Sequence, residues 1–122
     1  MILTNKILDD NFAQFMKIYE KEHIYLIASR LSRIHSLLLE PLTILMQESD
    51  AIFRKHGTLD KENGKYTVSE NYEHIEEFKK ERDELLGKEI KIEMITLPIT
   101  FLNEFKFFPA EITALRNLGI LD

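Results

Sequence analysis

The chain has 122 residues, of which 44% are hydrophobic and 30% charged, with a formal net charge of −5 and no cysteine. This composition predicts one folded domain over residues 1–122, and it excludes disulfides, cysteine-zinc sites and thiol nucleophiles. No apolar run approaches the roughly 20 residues of a membrane span, and Asp9 and Asp10 fall where a signal peptide would stay apolar. We therefore expect a soluble cytoplasmic protein with no membrane partner.

The excess of acidic over basic residues lies entirely in the second half of the chain. Residues 1–57 carry seven Lys/Arg and seven Asp/Glu, whereas residues 58–122 carry nine and fourteen. A chain without a basic stripe binds phosphate poorly, so we expect no direct contact with nucleic acid. A basic protein surface complements the acidic half better.

A very short strand at residues 1–3 is predicted to precede a first helix capped by Thr4 or Asn5. Residues at helical spacing give this helix an apolar face: Leu8, Phe12, Phe15 and Tyr19. The polar patch at residues 20–23 favours a bend or short loop before the next helix.

A long helix from Glu22 to His56 is predicted to carry most of the core. Its apolar stripe has steps of three and four residues: Ile24, Ile27, Leu31, Ile34, Leu38, Leu42, Leu45 and Ile52. Pro41 either kinks this helix or ends it near Leu39 and starts another. Because the stripe keeps its register across Pro41, one kinked helix is favoured.

The apolar residues of the long helix reach around more than half of its circumference. Two arrangements would cover them. Either the first helix and the apolar segment 99–108 both pack there, or a second subunit does. We favour the second arrangement, which predicts a homodimer through this helix.

Turn chemistry divides the second half of the chain. Residues 60–64 end in Asn63-Gly64, which predicts a hairpin between Thr58-Leu59 and residues 65–68. A charged helix is predicted over residues 71–86, with a narrow apolar stripe that fits an antiparallel partner of the long helix.

The remaining segments are a strand, an irregular stretch and a helix. Alternation predicts the strand over residues 88–94. The irregular apolar segment 99–108 is expected to cover the core, and Pro109 begins a last helix ending near Leu118. The predicted fold class is α+β and mostly helical. It places a long kinked helix in an antiparallel helical hairpin, with a small β-sheet or hairpin at one end.

No motif for catalysis, cofactor binding or metal binding is present. The histidines (His23, His35, His56 and His74) lack metal-ligand spacing. His35 is expected at the edge of the core, and His56 as a cation at a helix end. The four glycines mark element ends and form no phosphate loop. We therefore predict a protein that is not an enzyme and has no cofactor, no catalytic residue and no metal site.

Charged side chains on two helices form the predicted interaction surface: Glu73, Glu76, Glu77, Glu81, Glu84, Arg30 and Arg33. The arginines can meet the acidic helix 71–86 within the molecule or a partner's acids between molecules. The intramolecular pairing is favoured. Arg82, inside an apolar stripe, either extends its guanidinium to the surface or pairs with Glu48 or Asp50.

The order of several segments resembles that of a known family. Ile2-Leu3-Thr4-Asn5, Lys55-His56-Gly57, the turn 60–66, the strand 88–92 and the helix 109–115 occur in sequence. This order resembles a family of small uncharacterised proteins encoded by phages and prophages of Gram-positive bacteria. The segment 99–108 departs from its pattern. The resemblance implies a phage gene product acting in the cytoplasm of a host bacterial cell, and it implies no activity or functional residue.

Two functions fit a small, acidic chain without catalytic motifs. The first is binding to a host or phage protein, with inhibition of a host enzyme or defence factor by occlusion as the leading hypothesis. The second is an assembly factor or chaperone for the virion or tail, acting as an oligomer.

Overall fold

The computed structural model describes residues 1–98, 100–101 and 107–121. Its elements follow in chain order: β1 (Ile2–Thr4), α1 (Asn5–Tyr19), α2 (Tyr25–His56), β2 (Thr58–Asp60), β3 (Lys65–Thr67), α3 (Ile75–Gly87), β4 (Glu89–Lys91) and α4 (Pro109–Asn117). Over these residues, four helices accompany two antiparallel sheets of two strands each. The predicted α+β, mostly helical class is confirmed.

The long helix α2 runs through Pro41 without interruption for 32 residues. The prediction of one helix across the proline is therefore confirmed. Its start was predicted too early, at Glu22, because residues 20–24 form a loop after α1 and α2 begins at Tyr25. The helix ends where the Gly57 N–H donates to the Phe53 carbonyl at 2.6 Å.

The predicted stripe on α2 forms the centre of the core. Six of its eight residues are buried: Ile27, Leu31, Ile34, Leu38, Leu42 and Leu45. Ile24 was wrongly included, since it precedes the helix and is 59% exposed. The helix α1 buries Leu8, Phe15 and Ile18 and packs against α2, α3 and α4.

The helix α3 lies antiparallel to the C-terminal half of α2. Phe78 contacts Phe53 with ring centroids 5.3 Å apart, and Lys88, just after α3, pairs with Glu48. The helix begins at Ile75, four residues later than predicted. Ser69 explains the delay, because its hydroxyl accepts the Asn71 N–H and so stabilises a turn instead.

One small sheet joins segments that are distant in the sequence, and the other joins two neighbouring segments. The strands β1 and β4 pair antiparallel, with Leu3 opposite Ile90. The predicted strand 88–94 is shorter in the structure, ending at Lys91. The strands β2 and β3 form the predicted hairpin, and its turn uses Gly64 at a φ of 71°.

Parts of the segment 99–108 lie outside the described residues. Where it is described, Phe101 is 1% exposed and Phe108 is 75% exposed. The expectation that this segment covers the core therefore holds at Phe101. In the described part of the chain, no helix combines the length and apolar character needed to cross a membrane.

The buried ion pair Glu111–Lys21 joins α4 to the loop after α1. The Glu111 side chain is 1% exposed and lies 3.1 Å from the Lys21 ammonium, and it also accepts the Phe108 N–H at 3.0 Å. Burial opposes its ionisation, but the Phe108 N–H and Lys21 outweigh that effect and lower the pKa of Glu111.

Glu111→Gln is expected to lower the free energy of unfolding at pH 7 by roughly 1–3 kcal/mol, because the neutral amide that replaces the buried carboxylate cannot form the ion pair with Lys21. Because the pKa of Glu111 is lowered in the folded state, its ionised carboxylate stabilises the fold at pH values above the unfolded-state pKa of 4.5. This stabilisation is lost as the pH falls through the folded-state pKa. The gap between variant and wild type should therefore narrow in acid. Urea unfolding at neutral and acidic pH measures both, with exposed Glu76→Gln as control. Equal stability at pH 7 would refute the role of this pair.

Candidate functional site

The predicted acidic residues lie on or just before α3 and divide into two groups. Glu77 and Glu81 face the end of α2, where both contact Lys55. Glu76 and Glu84 are exposed and share an open groove on the outer side of α3 with Asp83 and two lysines, Lys79 and Lys80, so acids outnumber cations there by three to two. Glu73 is exposed in the turn before the helix. Burial of Phe78 and Leu85 against the molecule fixes this orientation, because the acids occupy the remaining helix faces.

Lys55 is the cation that holds the inner group. Its ammonium lies 2.5 Å from Glu81 and 3.7 Å from Glu77. The hydrogen bond from Lys55, followed by that from His56, lowers the pKa of Glu81. The same bond to Glu81 raises the pKa of Lys55. These two acids are therefore occupied within the chain.

His56 lies in the last turn of α2, at the helix end that the sequence predicted, but its side chain is buried inside this junction. Its side chain is 3% exposed. Nε2 lies 2.6 Å from a Glu81 carboxylate oxygen, and Nδ1 lies 3.0 Å from the Tyr72 hydroxyl. Phe78 covers the ring edge-on. Both ring nitrogens thus have partners, which fixes the imidazole between α2, α3 and the turn before α3.

His56, Glu77 and Glu81 form the one three-ligand group found among the described residues, with donor atoms within 4.8 Å of one another. Imidazole and carboxylates are suitable zinc ligands. The Lys55 ammonium, however, already lies on both carboxylates. A metal ion would have to displace it, so these contacts favour a structural junction.

Acid–base chemistry at His56 would need space for a substrate. The His56 side chain is 3% exposed, which leaves a substrate little access to either ring nitrogen. A general base must come within hydrogen-bond distance of the proton that it removes. The junction therefore offers its imidazole no accessible reacting partner in this conformation.

The structure does not bring Arg30 and Arg33 to the acidic helix. Arg30 donates to the Thr96 carbonyl at 3.5 Å, and neither arginine has a carboxylate within 4 Å among the described residues. The favoured intramolecular pairing is wrong. The 13 residues of α3 span about 20 Å, whereas Arg33 is 23 residues, or roughly 35 Å, from His56.

Arg82 makes neither of the predicted ion pairs. Its guanidinium lies over the rings of Phe53, at 5.1 Å, and Phe78, at 6.0 Å. This cation–π contact satisfies an arginine in an apolar stripe. It also places Arg82 beside a groove of about 520 Å³, which Met46, Phe53 and Tyr66 line.

Comparison with known proteins gives no assignment. No protein-family model, curated protein or solved structure matches this chain. The candidate site is therefore defined by its geometry alone. The outer acids of α3 are exposed, and the inner acids contact Lys55.

Tyr72→Phe is expected to destabilise the protein by roughly 1–3 kcal/mol, because it leaves the buried Nδ1 of His56 without its partner. Thermal and urea unfolding measure the change. Tyr66→Phe removes the same hydroxyl from a half-buried tyrosine whose oxygen has no hydrogen bond to any described residue, so that variant should unfold like wild type. Two variants of equal stability would show that the Tyr72 contact contributes nothing.

Proposed function

We propose that this chain is a non-enzymatic binding protein whose outer α3 surface engages a basic surface on another protein. The main support is the exposure of three carboxylates on α3 or in the turn before it. Glu73, Glu76 and Glu84 are exposed and have no cation within 4 Å among the described residues. Burial of two apolar residues on the opposite face of α3 holds the helix in this orientation.

The charge distribution favours a basic partner. The acids that could be neutralised internally, Glu77 and Glu81, already contact Lys55, and the outer acids are left to solvent. Complementary charge on a partner would accelerate association and select against acidic competitors. Exposed charges interact through water, so this attraction should weaken with salt.

The biological setting of the proposal comes from the sequence. The resemblance to phage and prophage proteins of Gram-positive bacteria is its only ground. In that setting the partner is a host or phage protein in the bacterial cytoplasm, and occlusion of a host enzyme or defence factor is the proposed effect. Assembly of virions or tails remains the second candidate, favoured by the exposed apolar residues of α2.

A triple variant tests the acidic surface. Glu73, Glu76 and Glu84, each changed to Gln, should keep the fold, because none of these side chains has a partner in the described structure. We expect the variant to lose most of the captured partner when the protein is used as bait in an infected or lysogenic host, followed by mass spectrometry. Raising the salt concentration should reduce wild-type capture in the same way.

The matched control changes three exposed glutamates on other elements, Glu20, Glu22 and Glu62, to Gln. It carries the same net charge and should capture the partner like wild type. Equal losses in both variants would indicate a net-charge effect and contradict the proposal. Recovery of phage structural proteins in place of a host protein would favour the assembly function.

A further inference from the structure

The side of α2 that points away from the core carries a regular series of exposed residues. Their spacing alternates between four and three: Tyr25, Ser29, Ser32, Ser36, Leu39, Thr43, Met46 and Asp50. This is the spacing of a coiled-coil seam, which faces a second helix. Among the described residues, all eight are exposed, with Tyr25 at 84%, Leu39 at 44% and Met46 at 64%.

The spacing of this outer seam reads the same in both directions along the helix. A second copy running antiparallel can therefore place residues opposite each other whenever their numbers add up to 75. In that register each of the two exposed aliphatic side chains meets a small one. Leu39 lies opposite Ser36, and Met46 lies opposite Ser29. Such alternation lets two helices approach closely.

We propose that two copies of the chain associate through the outer seam of α2, antiparallel, with a two-fold axis between residues 37 and 38. The contact is isologous, so the dimer is closed and needs no further subunit. From Tyr25 to Asp50 it runs for about 38 Å along each helix.

Charge at the edge of the seam supports this register. Arg33 and Glu40 are exposed, follow Ser32 and Leu39 directly, and have no ion pair within the described chain. In the antiparallel register, Arg33 of one copy lies closest to Glu40 of the other, and the symmetry makes this contact twice. Arg33 has no carboxylate within 4 Å among the described residues of its own chain and thus gains one from the partner.

Two hydroxyl groups near the middle of the seam already have partners on their own helix. Ser36 donates to the Ser32 carbonyl at 3.2 Å, and Thr43 donates to the Leu39 carbonyl at 2.8 Å. Their donors are therefore satisfied by the helix itself. Removing water from this face leaves no unsatisfied hydroxyl donor at either of these two positions.

The proposed register places Tyr25, the most exposed aromatic residue of α2, next to a groove on the other copy. Tyr25 of one copy faces Asp50 of the other, and Asp50 lines the groove of about 520 Å³ together with Met46, Phe53 and Arg54. Met46 and Phe53 offer apolar contacts to a phenol ring. Asp50 accepts from Arg54 through Oδ2 at 2.7 Å, which leaves its other carboxylate oxygen to accept the phenol hydrogen. Each copy would anchor the other at both ends of the seam.

Charge reversal tests the register in sedimentation equilibrium at high micromolar concentration. Arg33→Glu or Glu40→Arg alone places like charges opposite each other twice and should weaken the dimer roughly tenfold. The double variant restores opposite charges and should restore dimerisation to near the wild-type level. Arg33 and Glu40 are seven residues apart on one helix, so rescue reports a contact between chains.

Arg116→Glu makes the same charge change at an exposed site on α4 and should leave the dimer intact. A wild-type chain that stays monomeric, or a double variant no better than the single ones, would overturn the proposal. The seam uses no carboxylate of α3. If the wild-type chain dimerises but captures no partner, the binding function alone fails. If it captures a partner but stays monomeric, the dimer alone fails.

Discussion

Burial of one face of α2 is the constraint on which the other elements depend. Six aliphatic residues of this helix are buried, each contributing about 1.5–3 kcal/mol of transfer free energy. The helix α1 covers the first part of that face and α3 the last part, while the loops around Leu97 and Ile120 complete the enclosure. The opposite face of α2 is left exposed to solvent.

The polar junction at the end of α2 determines which acids reach the surface. His56 is held from both sides, by Tyr72 and by Glu81, and Lys55 binds the same carboxylate. Together with burial of Phe78 and Leu85, these contacts fix the rotation of α3 about its own axis. As a consequence, two of its glutamates are neutralised internally and the others point outward. The chain thereby separates its surfaces, with acids on α3 and a mixed apolar and hydroxyl face on α2.

Local pattern was enough to predict most elements, and the errors have different causes. Apolar spacing placed α1 and carried α2 across Pro41, because a continuous register survives a single lost hydrogen bond. The start of α3 was misplaced because Ser69 stabilises a turn. The burial of His56 could not be predicted, since Glu81 lies 25 residues away and meets it only after α2 and α3 pack. The expected pairing of Arg33 failed because α3 is too short to reach it.

In the proposed dimer, α2 packs on two sides, with one face buried in the core and the other against a second copy. Crosslinking tests it directly, since the chain has no native cysteine. In the proposed register the two copies of residue 36 lie about 5 Å apart along the axis, and those of residue 29 about 26 Å apart. A short bismaleimide should therefore link Ser36→Cys chains into dimers and leave Ser29→Cys chains unlinked. Efficient linking at residue 29, or none at residue 36, would contradict the antiparallel dimer.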